Sequence, residues 1–185
     1  MRTLRYFFED ASNHKIIVHQ LDFIGAFIQF NVKHRVFVKL DSRYGEYFPE
    51  YFNYFGRPLR FKKSMYDITN PGRLFSDELT NYMIDKAGFT QLECKMYIFY
   101  KYAPDVSKLV VLSYADECVY WYIYEKLGNW FVDTLRKKFY VHFLVYTHWF
   151  MYIRISQLKD HYISVDQSRY DTYVVAKYVE AATMK

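Results

Sequence analysis

At 185 residues the chain is long enough for one domain with a substantial core, and 52% hydrophobic residues exclude wholesale disorder. No apolar run reaches the roughly 20 residues of a membrane span, Met1-Arg2-Thr3-Leu4-Arg5 leads into no signal peptide, and two cysteines without CxxC spacing suggest neither a zinc site nor a disulfide framework, so a soluble, intracellular chain is expected. The formal net charge of +5 permits a nucleic-acid partner without demanding one.

Leu4, Phe7, Phe8 and Ala11 fall at helical spacing and predict a first helix, ended by Asn13 and His14. Residues 15–23 carry Ile16, Ile17, Val18 and Leu21, a β-branched run that reads as a strand, and a short helix follows through Ala26 and Phe27. Residues 36–40 read as a second strand. Residues 41–61, with Gly45, Pro49, Gly56 and Pro58, read as a long aromatic surface excursion, functional or mobile. A helix then opens on Asn70 as N-cap and Pro71 in the first turn, aligns Phe75, Leu79, Tyr82, Met83 and Lys86 on one face, and stops at Gly88. Strands are expected over 96–102, 108–114 and 118–124, the last after a tight turn at Ala115-Asp116-Glu117. Leu127, Phe131 and Leu135 mark a helix over 125–139. A hairpin of 149–157 with 161–165 turns at Lys159-Asp160. The last helix opens with the capping-box pattern Ser164-Val165-Asp166-Gln167. Mixed helices and antiparallel strands predict an α+β layer architecture.

The 21 Tyr and 17 Phe read as aromatic drift in a sheet-rich core in preference to a stacking surface for bases. The six histidines never fall at metal-ligand spacing and read as surface or edge-strand residues. The informative pair is Asp22, in Leu21-Asp22-Phe23-Ile24-Gly25-Ala26-Phe27, and Asp116, in Leu112-Ser113-Tyr114-Ala115-Asp116-Glu117. Each lies near the end of an apolar, strand-like run. An Asp so placed commonly just caps local backbone groups. Two together on neighbouring strands read as a divided site for two Mg²⁺ ions, which prefer carboxylate and phosphate oxygens and serve nucleotidyl transfer.

The segments around them resemble, in order and spacing, the reverse transcriptase of copia-type retrotransposons. His19-Gln20-Leu21-Asp22-Phe23-Ile24-Gly25-Ala26-Phe27-Ile28 is similar to that family's Q-[ML]-D-x-x-x-A-F-L segment, and Phe61-Lys62-Lys63-Ser64-Met65-Tyr66 to its L-K-K-S-L-Y. Gly72-Arg73-Leu74-Phe75 falls where the family has P-R-L-W, and Leu112-Ser113-Tyr114-Ala115-Asp116-Glu117 resembles its L-x-Y-V-D-D hairpin. Gln157, Gln167 and Tyr170 sit in a tail similar to the family's G-I-E-I followed by L-S-Q-x-x-Y.

The resemblance implies a palm-like antiparallel sheet with helices on one face, the fingers largely missing ahead of Met1. Residues 1–140 would form the palm-like core, and 141–185 a hairpin and helix leading toward the thumb. It implies RNA-directed DNA polymerase activity using Mg²⁺, dNTPs, an RNA template and a DNA primer, beside ribonuclease H and integrase parts of a polyprotein, in the cytoplasm within a virus-like particle or in the nucleus, without a membrane. Asp22 and Asp116 match the family's metal-binding aspartates, and Glu117 stands at the hairpin's second Asp. These three are the implied catalytic and metal-holding set. Phe27 matches the aromatic that blocks a 2′-hydroxyl, Lys62 and Lys63 are placed to touch backbone phosphate, and Asn70 falls where the family has a Gln near the incoming nucleotide. Departures predict a chain inactive on its own. Glu117 adds a methylene, a displacement able to lower a rate by about 10²-fold. Asp67 and Met151-Tyr152 each lack a family glycine, and Ala115 replaces Val. A catalytically dead nucleic-acid-binding remnant remains an alternative, as does an unrelated two-metal palm enzyme such as a nucleotide cyclase, against which the Ala26-Phe27 and Lys63-Ser64-x-Tyr66 segments count.

Overall fold

A computed structural model describes residues 2–32, 35–65, 71–93, 95–105 and 107–183. In chain order the elements are α1 (Arg2–Asn13), β1 (His19–Phe23), β2 (Phe37–Lys39), β3 (Pro58–Arg60), α2 (Pro71–Asn81), β4 (Thr90–Leu92), β5 (Lys95–Tyr102), β6 (Lys108–Tyr114), β7 (Glu117–Tyr122), α3 (Glu125–Arg136), β8 (Val141–Leu144), β9 (Trp149–Phe150), β10 (Ile153–Gln157), β11 (Ile163–Asp166) and α4 (Ser168–Thr183). The fold is α+β, and the chain divides into two compact units, residues 1–24 with 78–185 and residues 25–77.

The first unit is built on a six-stranded antiparallel sheet in the order β4-β5-β6-β7-β1-β8, with a smaller sheet β11-β10-β9. Leu109, Val110, Val111 and Leu112 of β6 are all buried, as a strand covered on both faces requires. Successive side chains of a strand point to opposite faces. Val119 and Trp121 of β7 accordingly pack with Leu4, Phe7, Phe8 and Ala11 of α1 and with Phe150, Ile153 and Ile155 of the small sheet. Tyr120 and Tyr122 point the other way, toward α3, where the Tyr120 and Phe131 rings meet at 5.0 Å. Helices therefore cover both faces, which corrects the expectation of helices on one face only: strands as apolar as β6 and β7 leave two sides to bury.

Several boundaries also move. The first strand begins at His19 rather than residue 15, since Lys15 takes a positive φ of 55°. The Gln157 side chain then fills Val18's backbone positions, accepting from its N–H at 2.7 Å and donating to its carbonyl at 2.8 Å. The last helix starts at Ser168, not at Ser164, which lies in β11; Asp166 accepts from the Ser168 amide at 2.8 Å and caps that start. The helix that opens at Pro71 continues as a π-helical turn over Tyr82–Lys86, and Gly88, φ 65°, follows its end.

In the second unit, β2 and β3 pair antiparallel, and 3₁₀ helices form over Ala26–Gln29, Ser42–Glu46 and Pro49–Tyr54. The predicted excursion is thus organised locally: the Asp41 carboxylate caps the Ser42–Glu46 turn by accepting from the Arg43 amide at 2.9 Å and holds the Arg43 guanidinium at 2.9 and 3.0 Å.

Candidate active site

Strand register assembles the site. Asp22 of β1 lies directly opposite Glu117 of β7 and, on its other flank, opposite His142 of β8. Residues so opposed share a face, with Cβ atoms about 4.5–5.5 Å apart. Asp116 is the second of two residues in the turn closed by the Tyr114–Glu117 pair, and its carbonyl accepts the Phe23 amide at 2.9 Å. That bond ties the turn to the residue after Asp22. Three carboxylates from two distant parts of the sequence thereby meet at one end of the sheet, all half-buried, with His142 exposed beside them.

The face matters too. Asp22 and Glu117 share theirs with Val119, on the side where α1 and the β9–β10 hairpin pack, so the expected open face is instead a partly covered one. Burial raises the Asp22 carboxyl above its ordinary range, the nearby Asp116 charge raises it further, and His142 opposes both. Burial likewise raises Glu117; the Met151 backbone amide, donating to its carboxylate, pulls it down, and the charges of Asp116 and Asp22 push it up again. Like charges held together out of water favour a proton, or a cation, to relieve them.

Three non-glycine residues in these turns sit in the left-handed region: Ala115 (φ 50°), Met151 (54°) and Tyr152 (62°). Each such residue costs about 1–2 kcal/mol. These left-handed residues fall on the two turns bordering the carboxylates. Behind Glu117, burial pushes the Cys118 thiol up to about 12, which leaves it protonated and packed rather than reactive.

Other sequence-predicted residues belong to the second unit or are not described. Phe27 belongs to the 25–77 unit, on the Ala26–Gln29 turn, its ring edge-on to Phe75 at 6.3 Å. Lys62 and Lys63 are exposed in the same unit, where the Lys62 carbonyl accepts from the Val32 amide at 3.1 Å and Lys63 bridges to Asn31. Asn70 and Asp67 lie outside the described residues. His142 escaped the sequence reading: its strand spans only four residues, Val141-His142-Phe143-Leu144, too few for an alternation to stand out. Among the described residues no three His, Cys, Asp or Glu side chains are set to hold a metal ion unaided, and no helix is long and apolar enough to cross a membrane.

The α+β domain thus gathers three carboxylates at one end of its sheet. The family model described as reverse transcriptase (RNA-dependent DNA polymerase) matches residues 2–183, and the chain belongs to that family. No curated protein and no solved structure matches it. Membership implies a nucleic-acid template and nucleotide substrates, and removes the unrelated nucleotide-cyclase alternative.

Proposed function

We propose that the chain is a copia-type retrotransposon reverse transcriptase domain built for RNA-directed DNA synthesis, with Asp22, Asp116 and Glu117 as its metal-holding carboxylates. The cross-strand register that puts Asp22 opposite Glu117 and ties Phe23 to Asp116 carries this reading. The donor set fits Mg²⁺: it is all hard oxygen, and its carboxylates repel one another. Mg²⁺ keeps several waters and is held by one or two carboxylates plus substrate phosphates, so a prearranged three-ligand cage is not needed. When bound, a Mg²⁺ pair supplies charge that favours the attacking 3′-hydroxyl and the pyrophosphate leaving group. The chain's own residues hold and orient. Asp22 sits on a strand paired on both sides, Asp116 on a turn bonded to that strand, and the Met151 amide steadies Glu117. Phe27 is the proposed gate against a 2′-hydroxyl, Lys62 and Lys63 the proposed phosphate contacts, and Asn70 the proposed nucleotide neighbour. In this reading residues 1–140 serve as the palm-like core, 141–185 lead toward the thumb, and the chain acts in the cytoplasm or nucleus beside ribonuclease H and integrase parts of a polyprotein.

A second reading, a remnant that binds nucleic acid without polymerising it, is favoured by one observation: left-handed non-glycine residues border a carboxylate set that already carries an enlarged Glu117. Primer extension on a primed RNA template separates the two. The unmodified chain is expected to extend barely or not at all. Glu117→Asp is expected to raise extension by about 10²-fold, and Asp116→Asn added to it to abolish extension, because the amide keeps shape without charge. Extension surviving Asp116→Asn would show the metal assignment to be wrong. Glu117→Asp without effect would favour the remnant.

A further inference from the structure

Residues 25–77 hold nine Lys and Arg against five Asp and Glu, a net +4 of the chain's +5. The same unit exposes an ordered set of rings. A 3₁₀ helix has three residues per turn, so positions i and i+3 eclipse. Phe48, just ahead of the Pro49–Tyr54 helix, and Tyr51 and Tyr54 within it follow that spacing. Their rings sit 6.4 and 6.3 Å apart at 63° and 54°, tilted rather than stacked flat, and remain 47%, 50% and 47% exposed. Phe48 and Tyr51 border an apolar cavity of about 290 Å³ lined also by Leu40, Tyr44, Phe55 and Leu59, near the lower end of the roughly 300–1,000 Å³ of small-ligand pockets. Lys39 lines the adjoining depression with Leu40 and Phe55. Lys39, Arg57, Arg60, Lys62 and Lys63 are exposed and form no salt bridge among the described residues, whereas Arg43 is held by Asp41.

We propose that the 37–63 segment is a binding site for single-stranded nucleic acid, in which an unstacked base enters the cavity between Tyr44, Phe48 and Tyr51 while the surrounding lysines and arginines neutralise the flanking phosphates. Aromatic platforms within basic surroundings bind single strands without sequence preference, because every base has a π-face. The cavity suits that mode: its lining offers side-chain hydrocarbon and ring faces, with few groups to read base edges. The excess positive charge argues for a polyanionic occupant over a second apolar protein surface. The proposal rests on the reverse-transcriptase reading only for expecting a nucleic-acid partner; it requires neither metal nor the carboxylates.

The test uses the full 185-residue chain in EDTA, with a fluorescein-labelled 12-nucleotide oligo(dT), an abasic oligomer of the same length, a primed RNA–DNA duplex and phosphatidylserine vesicles as probes. Oligo(dT) is expected to bind without metal, and the abasic strand roughly 5- to 150-fold more weakly, from about 1–3 kcal/mol of stacking per base. Tyr51→Leu should weaken oligo(dT) binding within the same range, and Tyr51→Phe should leave it near wild type. With about four phosphates neutralised, log affinity should fall with log salt at a slope of about −3, reduced by roughly 1.4 in Lys39→Gln with Arg57→Gln. Should Tyr51→Leu fail to fold, the abasic comparison on the unmodified chain decides. Equal binding of normal and abasic strands overturns the proposal. So does capture by vesicles but not by oligo(dT). Duplex bound while oligo(dT) is not overturns it and leaves the polymerase reading standing. Asp116→Asn should leave oligo(dT) binding unchanged; loss there overturns the cavity as the binding site.

Discussion

The two units of this chain are held by different forces. In the first, long-range strand ladders bring residues about a hundred positions apart into register, and the core between α1 and the sheet includes fully buried Val18, Val119, Trp121 and Phe150. In the second, one short ribbon and 3₁₀ turns leave most large rings partly in water: Phe37, Tyr44, Tyr47, Phe48, Tyr51 and Tyr54 are all exposed. The first unit is nearly neutral and gathers the carboxylates; the second carries most of the net positive charge. A ladder fixes positions to fractions of a side chain, which chemistry demands. Rings and cations on short turns tolerate variation in their surroundings.

The largest test of this contrast is stability. Phe131→Ala removes a fully buried ring packed on Tyr120 and Phe89 and should destabilise the fold by about 3–5 kcal/mol in urea titration. Tyr51→Ala, removing a half-exposed ring of the second unit, should change the same transition by under about 1 kcal/mol. Equal losses would erase the distinction.

Gly128→Ala probes how tightly α3 meets the sheet. An added Cβ there would lie 2.3 Å from the Tyr122 ring, itself stacked on His19 at 5.0 Å. Overpacking of about 1–3 kcal/mol should outweigh the roughly 1 kcal/mol that alanine gains in helix propensity, so thermal melting should show net destabilisation. A rise in Tm would mean the ring yields freely.

Tyr152→Gly should move the other way. Relief of a left-handed tyrosine, worth about 1–2 kcal/mol, exceeds the roughly 0.5–1 kcal/mol entropic cost of glycine, and the 81%-exposed ring loses little packing. The expected gain is about 0.5–1 kcal/mol by urea titration; a loss would show that the strain is compensated locally.

The smallest expected effect is a pH dependence. Burial lowers the His19 pKa, partly offset by its Nδ1 bond to the Val145 carbonyl at 2.7 Å. The unfolded chain then binds the proton more readily. This contribution to stability is present above about pH 6.5 and is lost as pH falls from there toward the folded-state value. His19→Gln should flatten the pH–stability curve between about pH 5 and 7, and an unchanged curve would exclude His19 as its source.

Legibility followed sequence range. Amphipathic helices such as 125–136 and the β6–β7 hairpin were readable because their signals, helical spacing and long β-branched runs, are local. The strand at 141–144 was not, since four residues take their conformation from pairing with β1, and His142 came into view with it. Organisation within 41–61 was equally hidden: 3₁₀ turns held by an Asp41 cap and ring contacts carry no strong period.

By itself, then, the sequence determined the order of the blocks around Asp22, Lys62-Lys63 and Asp116, the α+β alternation and the family to which those blocks point, because these reside in residue identity and near-neighbour spacing. Tertiary structure alone decided that helices cover both faces of the sheet, that His142 and the Met151 amide flank the carboxylates, and that the tyrosines of the basic segment keep their faces in water. Each of these depends on which strands pair and in what register, and a register slip of one residue would turn Asp22 to the opposite face with no change in its neighbours along the chain.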